Sequence, residues 1–380
     1  MHRVLSVSLS LDNVRRLAAA ALLLPCLLAT LAPAQERLGS YPIDPAKVSV
    51  SGISSGAFMA NQLHLAHSGL IMGVGIVAGG LYGCAVRLVD SQGAPLALAS
   101  VAVGPCMSAP TLLEPAATYV QRAQDFARRG AIDPLSGLKR ARVYIFTGRS
   151  DHVVNPATVE RARDVYRKLG VAQANVKFVG IDGLPGPGAG HAWVTKTYGE
   201  PCDANGSPYI NQCKYDQAGE ILKHIYGKLA PPSTTLSGRF VEFSQAEFVP
   251  GGLVPENGMW NVGYIYVPKA CEPGAAPQCA LHVALHGCRQ SAQEIEDRFY
   301  KNVGVNEWAD ANRIVVLYPQ ARSFEAKDMS TQTPGGWLQF NPEGCWNWFG
   351  YGYDRDYLFK SGVQITALYR MVERVTGKEP

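Results

Sequence analysis

The pentapeptide Gly52-Ile53-Ser54-Ser55-Gly56 constrains the fold of this chain more than any other stretch. The pattern G-x-S-x-G alone is common in turns, but its flanks are informative. Residues 47–51 read as a strand, and residues 57–63 read as a helix. A serine in a sharp strand-to-helix turn needs neighbours with no side chain, which explains a glycine on either side. Such a turn exposes the central hydroxyl, that of Ser54, above the end of a sheet. It also sets that hydroxyl at a helix N-terminus, whose positive end favours developing negative charge. Ser55 stands one position too late for that place.

The rest of the chain supplies a sheet for this turn to cap. Short apolar runs of strand type recur at residues 47–51, 71–77, 143–147, 176–181, 239–243, 262–267, 281–285 and 314–318. Helical patterns at 57–67, 156–169, 216–229 and 361–375 fall between them. Strand and helix in alternation indicate an α/β fold, a mostly parallel sheet with helices on both faces. The 380 residues are 47% hydrophobic and 17% charged, which excludes a disordered chain. A net charge of +4 with no dense Lys/Arg run gives no reason to expect a nucleic-acid partner. Ala230-Pro231-Pro232-Ser233-Thr234-Thr235 is the one linker-like stretch.

Residues 1–34 read as a signal peptide. Arg3, Arg15 and Arg16 form a basic start, residues 17–31 are almost wholly apolar, and Ala32-Pro33-Ala34 offers the small residues a signal peptidase selects. Residues 35–380 are then expected as one catalytic domain, secreted or periplasmic, with no stable membrane association. Eight cysteines remain after Cys26: Cys84, Cys106, Cys202, Cys213, Cys271, Cys279, Cys288 and Cys345. In an exported chain they suggest four disulfides, with 105 possible connectivities. Short loops favour Cys202–Cys213 and Cys271–Cys279, Cys84–Cys106 would bracket one segment, and elimination leaves Cys288–Cys345. No C-x-x-C or H-E-x-x-H occurs, so neither a metal nor another cofactor is expected.

A serine needs a base. His2 leaves with the signal; His64, His67, His224 and His282 sit in helix or strand patterns and read as structural. His191 differs, because a glycine-rich loop (residues 183–190) carries it beyond the strand at 176–181. The order Ser…Asp…His asks for an acid between them just after a strand. Asp151 fits, in the turn after 143–147, while Asp133 precedes that strand and Asp182 lies only shortly before His191. His152 reads as a bystander. The oxyanion hole needs two backbone N–H groups. One comes from the residue after the serine, Ser55. The other usually comes from an H-G loop after an earlier strand, and here His286-Gly287 follows the strand at 281–285 near the other end of the chain. That order reads as a circularly permuted α/β-hydrolase, with its junction near residues 230–240.

The segments Val50-Ser51-Gly52-Ile53-Ser54-Ser55-Gly56-Ala57-Phe58-Met59, Gly79-Gly80-Leu81-Tyr82-Gly83-Cys84, Leu285-His286-Gly287-Cys288 and Gly344-Cys345-Trp346-Asn347-Trp348 resemble the permuted, single-domain polyhydroxybutyrate depolymerases. The resemblance spans nearly all of residues 35–380. It implies Ser54 as nucleophile, His191 as base, Asp151 as orienting acid, Ser55 and Cys288 as oxyanion amides, and Trp346 lining a monomer subsite. Trp337, Phe340, Trp346, Trp348, Phe349, Tyr351 and Tyr353 form an aromatic segment. Such clusters are more often core than surface, but Gly344, Gly350 and Gly352 suggest a loop, and Trp348 is a second expected substrate contact. The expected protein is a monomeric serine esterase acting on polyester or oligomeric hydroxyalkanoate. A separate linker and polymer-binding domain is not expected here, and short or amorphous substrate is the expected one. A feruloyl or acetyl esterase acting on polysaccharide substituents is the rival reading, and a catalytically inactive polymer-binding protein the more distant one.

Overall fold

The computed structural model describes residues 36–89, 95–97, 99–181, 188–328 and 340–378. The expected signal peptide, Asp182 and Trp337 lie outside them. The main sheet is built from β1 (Ile43–Ile53), β2 (Ile71–Val77), β3 (Arg142–Phe146), β4 (Val176–Val179), β5 (Arg239–Ser244), β6 (Val262–Val267), β7 (Cys279–Leu285) and β8 (Ile314–Tyr318). Across the sheet they lie in the order β5-β6-β8-β7-β1-β2-β3-β4. Every neighbouring pair is parallel except those of β6, which runs against both β5 and β8. Counting from β5, the order becomes 1-2-4-3-5-6-7-8 with the second strand reversed. That is an α/β-hydrolase sheet entered at its fifth strand, so the fold is the permuted one.

The inner strands bury both faces, and their alternation feeds two cores. Leu281, Val283 and Leu285 of β7 join one core, with α1 (Ser55–Ala66), α2 (Ala116–Arg128), α3 (Pro156–Lys168) and α6 (Val363–Val375). Ala280 and Ala284 join the other, with α4 (Gln217–Tyr226) and α5 (Val305–Ala311). Helix starts follow their caps. Asn155 accepts the Ala157 N–H ahead of α3, with Pro156 in the first turn, and Asp216 accepts the Gly219 N–H ahead of α4.

His282 lies inside β7 as a structural residue. Its Nδ1 is 2.7 Å from Ser49 Oγ and its Nε2 2.7 Å from Ser51 Oγ, both on β1. Burial lowers its pKa to about 3, so the ring is neutral.

The stretch at 230–235 joins opposite edges of one sheet. Asp310 of α5 accepts hydrogen bonds from Ser233 Oγ at 3.0 Å, Ser237 N at 3.1 Å and Tyr266 Oη at 2.6 Å. The crossing is thereby tied down along α5, and Glu36–Pro380 forms one compact unit.

Candidate active site

β1 ends at Ile53, and Ser54 turns the chain with φ 55° and ψ −122° before α1 begins at Ser55. A positive φ on a serine costs about 1–3 kcal/mol and persists only where the surroundings enforce it. Here the Ser54 N–H donates to Val77 O at 2.9 Å, and Ser54 O accepts from the N–H groups of Ala57 and Phe58. Both flanking glycines are obligatory. A Cβ on Gly52 would lie 2.3 Å from Gly56 O, and one on Gly56 would lie 2.2 Å from His286 O.

Asp151 occupies the turn after β3, with its side chain fully buried. Its Oδ1 accepts the Val153 and Val154 N–H groups at 2.9 and 2.8 Å, which fixes the carboxylate plane. His191 Nδ1 stands 2.9 Å from Oδ2 and 3.1 Å from Oδ1. A carboxylate can only accept, so the proton of neutral His191 belongs on Nδ1 and Nε2 is left as an acceptor. Asn205 ties this pair together. Its Oδ1 accepts the N–H groups of His191 at 2.9 Å and His152 at 3.1 Å, and its Nδ2 donates to Ser150 O at 2.8 Å. Neither motif nor spacing marked Asn205. The His152 residue itself is exposed.

The loop after β7 closes over the turn. A Cβ on Gly287 would lie 3.1 Å from Ser54 Cβ, so this backbone packs directly against the serine. The Gly287 N–H is committed to Gln290 Oε1 at 2.7 Å, and Gln290 Nε2 donates to Pro208 O and Tyr209 O on the segment after His191. Gln290 is a second residue that sequence reasoning missed. It couples the loop carrying Cys288 to the loop carrying His191.

Ser54, Ser55, His191 and Cys288 all line one cavity of about 360 Å³. Phe58, Met107, Val153, Val154, Trp348 and Phe349 make much of its wall apolar. Phe58 stacks on Trp348 with ring centroids 4.1 Å apart.

Trp346 requires a correction. It was expected to line a subsite, but it is fully buried and its indole N–H donates to His286 O at 2.9 Å. Disulfide-linked Cys345 holds the chain against the loop after β7, so the next side chain turns inward and Trp348 faces the cavity instead.

Among the described residues four disulfides are formed: Cys84–Cys106, Cys202–Cys213, Cys271–Cys279 and Cys288–Cys345. The last ties the loop over Ser54 to the aromatic segment. Among the described residues no cluster of His, Cys, Asp or Glu could hold a metal ion, and no helix is long and apolar enough to cross a membrane. The arrangement brings together a serine on a strained backbone at a helix start, an acid-oriented imidazole, and an apolar cavity. Together they are suited to acyl transfer.

No family model matches the chain. A poly(3-hydroxybutyrate) depolymerase of Delftia acidovorans is 37% identical over 347 residues, covering 90% of this chain. The chain spans 62% of the length of that relative. A polyhydroxybutyrate depolymerase of Talaromyces funiculosus is 36% identical over 352 residues, covering 90% of this chain and 94% of the relative. The crystal structure of a PHB depolymerase from Penicillium funiculosum superimposes with a TM-score of 0.73 at 32% identity, over 91% of this chain and all of that one. A serine-to-alanine PHB depolymerase complexed with an R3HB trimer superimposes with a TM-score of 0.74 at 33% identity, over the same shares.

Proposed function

We propose, since the chain belongs to the polyhydroxybutyrate depolymerase family of carboxylic ester hydrolases, that it cleaves poly(3-hydroxybutyrate)-type polyester or its oligomers through an acyl-enzyme on Ser54. The observation that carries this reading is the bonded Asp151–His191 pair meeting the strained Ser54 at one apolar cavity.

Ser54 Oγ attacks the ester carbonyl carbon while His191 Nε2 takes its proton. The carbonyl oxygen becomes an oxyanion that accepts from the Ser55 and Cys288 amides. Collapse of the tetrahedral intermediate breaks the ester C–O bond, and His191 returns the proton to the leaving hydroxyl. Water then attacks the acyl-enzyme by the same route and releases a hydroxyacid or short oligomer. Asp151 keeps the imidazole in the required tautomer and stabilises it when protonated. The apolar wall with Phe58 and Trp348 suits the methyl-bearing backbone of such a polyester, and the complex of a related depolymerase with an R3HB trimer supports the same substrate class.

Residues 1–34 act as a cleaved signal peptide and residues 35–380 as the exported catalytic domain. The four disulfides are in keeping with an oxidising compartment. Amorphous poly(3-hydroxybutyrate) and a feruloyl ester offered in parallel test the function. Release of 3-hydroxybutyrate or its oligomers, with little ferulate, is the expected result. Ferulate release without attack on the polyester would overturn it in favour of a polysaccharide esterase.

A further inference from the structure

Just beyond β7, two consecutive peptide units lead from His286 to the Cys288 amide, and hydrogen bonds grip them differently. The first, His286–Gly287, is held at both ends. Trp346 Nε1–H donates to its carbonyl at 2.9 Å, and its N–H donates to Gln290 Oε1 at 2.7 Å. The second, Gly287–Cys288, has its carbonyl oxygen 2.6 Å from His286 Nδ1.

The other ring nitrogen decides the tautomer. His286 Nε2 lies 3.1 Å from the Ala321 amide nitrogen, which can only donate. Nε2 is therefore the acceptor, Nδ1 carries the proton, and Nδ1–H donates to Gly287 O. The ring is fully buried, and desolvation lowers its pKa to about 4, so this neutral form holds at ordinary pH. In a trans peptide the C=O and N–H point in opposite directions. Turning Gly287 O toward the imidazole turns the Cys288 N–H away from it, on a residue that lines the cavity beside Ser54.

We propose that His286 is a positioning residue for ester hydrolysis, its Nδ1–H fixing the plane of the Gly287–Cys288 peptide and so the direction of the Cys288 amide. This inference rests on the reading of that amide as an oxyanion donor. His286 touches no substrate, and its effect is confined to the step in which negative charge develops. Ground-state binding along the apolar wall is untouched.

Two substitutions separate the ring's two bonds. Asparagine places its amide nitrogen near the position of Nδ1 and keeps the donor to Gly287 O, while losing the acceptor for Ala321. Glutamine reaches toward the position of Nε2 and keeps that acceptor, while losing the Nδ1 donor. On a soluble 3-hydroxybutyrate oligomer ester, His286→Gln is expected to lower kcat by about 10²- to 10³-fold, the loss typical of one oxyanion donor, with KM nearly unchanged. His286→Asn is expected to melt lower yet to keep kcat within about tenfold of wild type. A His286→Gln variant with full kcat, or a His286→Asn variant as impaired as it, overturns the positioning role. Should His286→Gln fail to fold, His286→Asn decides alone: a loss beyond about 100-fold refutes the proposal. Ser54→Ala run alongside separates the two levels. Turnover by Ser54→Ala would sink the acyl-enzyme reading and this inference with it. An inert Ser54→Ala beside a fully active His286→Gln would remove this inference alone.

Discussion

Replacing Asp151 with asparagine has an outcome that the hydrogen-bond pattern dictates closely. Asp151 Oδ1 accepts two backbone N–H groups, from Val153 at 2.9 Å and Val154 at 2.8 Å. Only an oxygen can take that place, so the amide oxygen of the new side chain must sit there. Its NH₂ group is then forced into the position of Oδ2, 2.9 Å from His191 Nδ1. A donor facing Nδ1 makes that nitrogen the acceptor and moves the ring proton to Nε2. An imidazole protonated at Nε2 cannot take the Ser54 proton. The expected fall in kcat is on the order of 10⁴, about 5 kcal/mol of barrier, with KM little changed. The fold should survive, because the contacts of the carboxylate are kept and a buried charge is removed. Steady-state kinetics on a soluble butyrate ester, with a thermal melt of the same preparation, measure both quantities. A kcat within tenfold of wild type would refute the reasoning. So would an undiminished Asp151→Asn beside an inactive Asp182→Asn, which would move the acid to the next strand.

The remaining predictions concern what holds the site. The Cys288→Ala, Cys345→Ala double variant opens a bridge spanning 57 residues, worth about 4 kcal/mol in the chain-entropy model. It should fold, melt lower and lose turnover more steeply than stability; peptide mapping of the non-reduced wild type that links Cys288 to a cysteine other than Cys345, or to none, would contradict the premise. Asn205→Ala removes the acceptor shared by the His191 and His152 amides and should cost about 2–3 kcal/mol of stability and roughly 10- to 100-fold in kcat. Unchanged kinetics would show that the histidine loop is held by other means. Acid should destabilise the fold before it reaches the carboxylates. Burial lowers His64 and His282 to about 3, and His67 and His286 to about 4, from the ordinary 6.5. Below pH 6.5 the unfolded chain takes up protons these folded groups refuse, so their contribution is whole above 6.5 and is lost as pH falls toward 4 for His67 and His286 and toward 3 for His64 and His282. The loss approaches 1.4 kcal/mol per pH unit for each histidine. Asp354, raised by burial to about 6, binds its proton more readily when folded and offsets part of this between pH 3.8 and 6. A melting temperature that does not fall between pH 7 and 5 would contradict the balance.

Most of the sheet was legible because its inner strands are apolar runs buried on both faces, a signal that needs no partner to be read. Residues 71–77, 262–267 and 314–318 match β2, β6 and β8 to the residue. Helix α2 was passed over although its buried positions, Ala116, Tyr119, Val120, Ala123 and Phe126, keep helical spacing. Two of the five are alanines, too small to stand out as a stripe. The serine, acid and histidine were proposed from chain order and strand ends, features the sequence itself displays. Asn205 and Gln290 carry no such mark. Each is a single polar residue in a turn, and only the folded chain brings Asn205 to the His191 amide or Gln290 to Gly287. The tryptophan pair shows the same limit in reverse. Along a loop no period tells an inward side chain from an outward one, so Trp346 and Trp348 looked alike until one was found buried beneath the His286 carbonyl and the other at the cavity wall.

The most direct measurement is the intact mass of the protein quenched during turnover of a short 3-hydroxybutyrate ester, followed by peptide mapping of any adduct. The predicted result is a hydroxybutyryl addition on the peptide containing Ser54, absent from Ser54→Ala, which also releases no 3-hydroxybutyrate. An adduct on another residue, or a Ser54→Ala protein that hydrolyses the ester near the wild-type rate, would contradict the acyl-enzyme at Ser54.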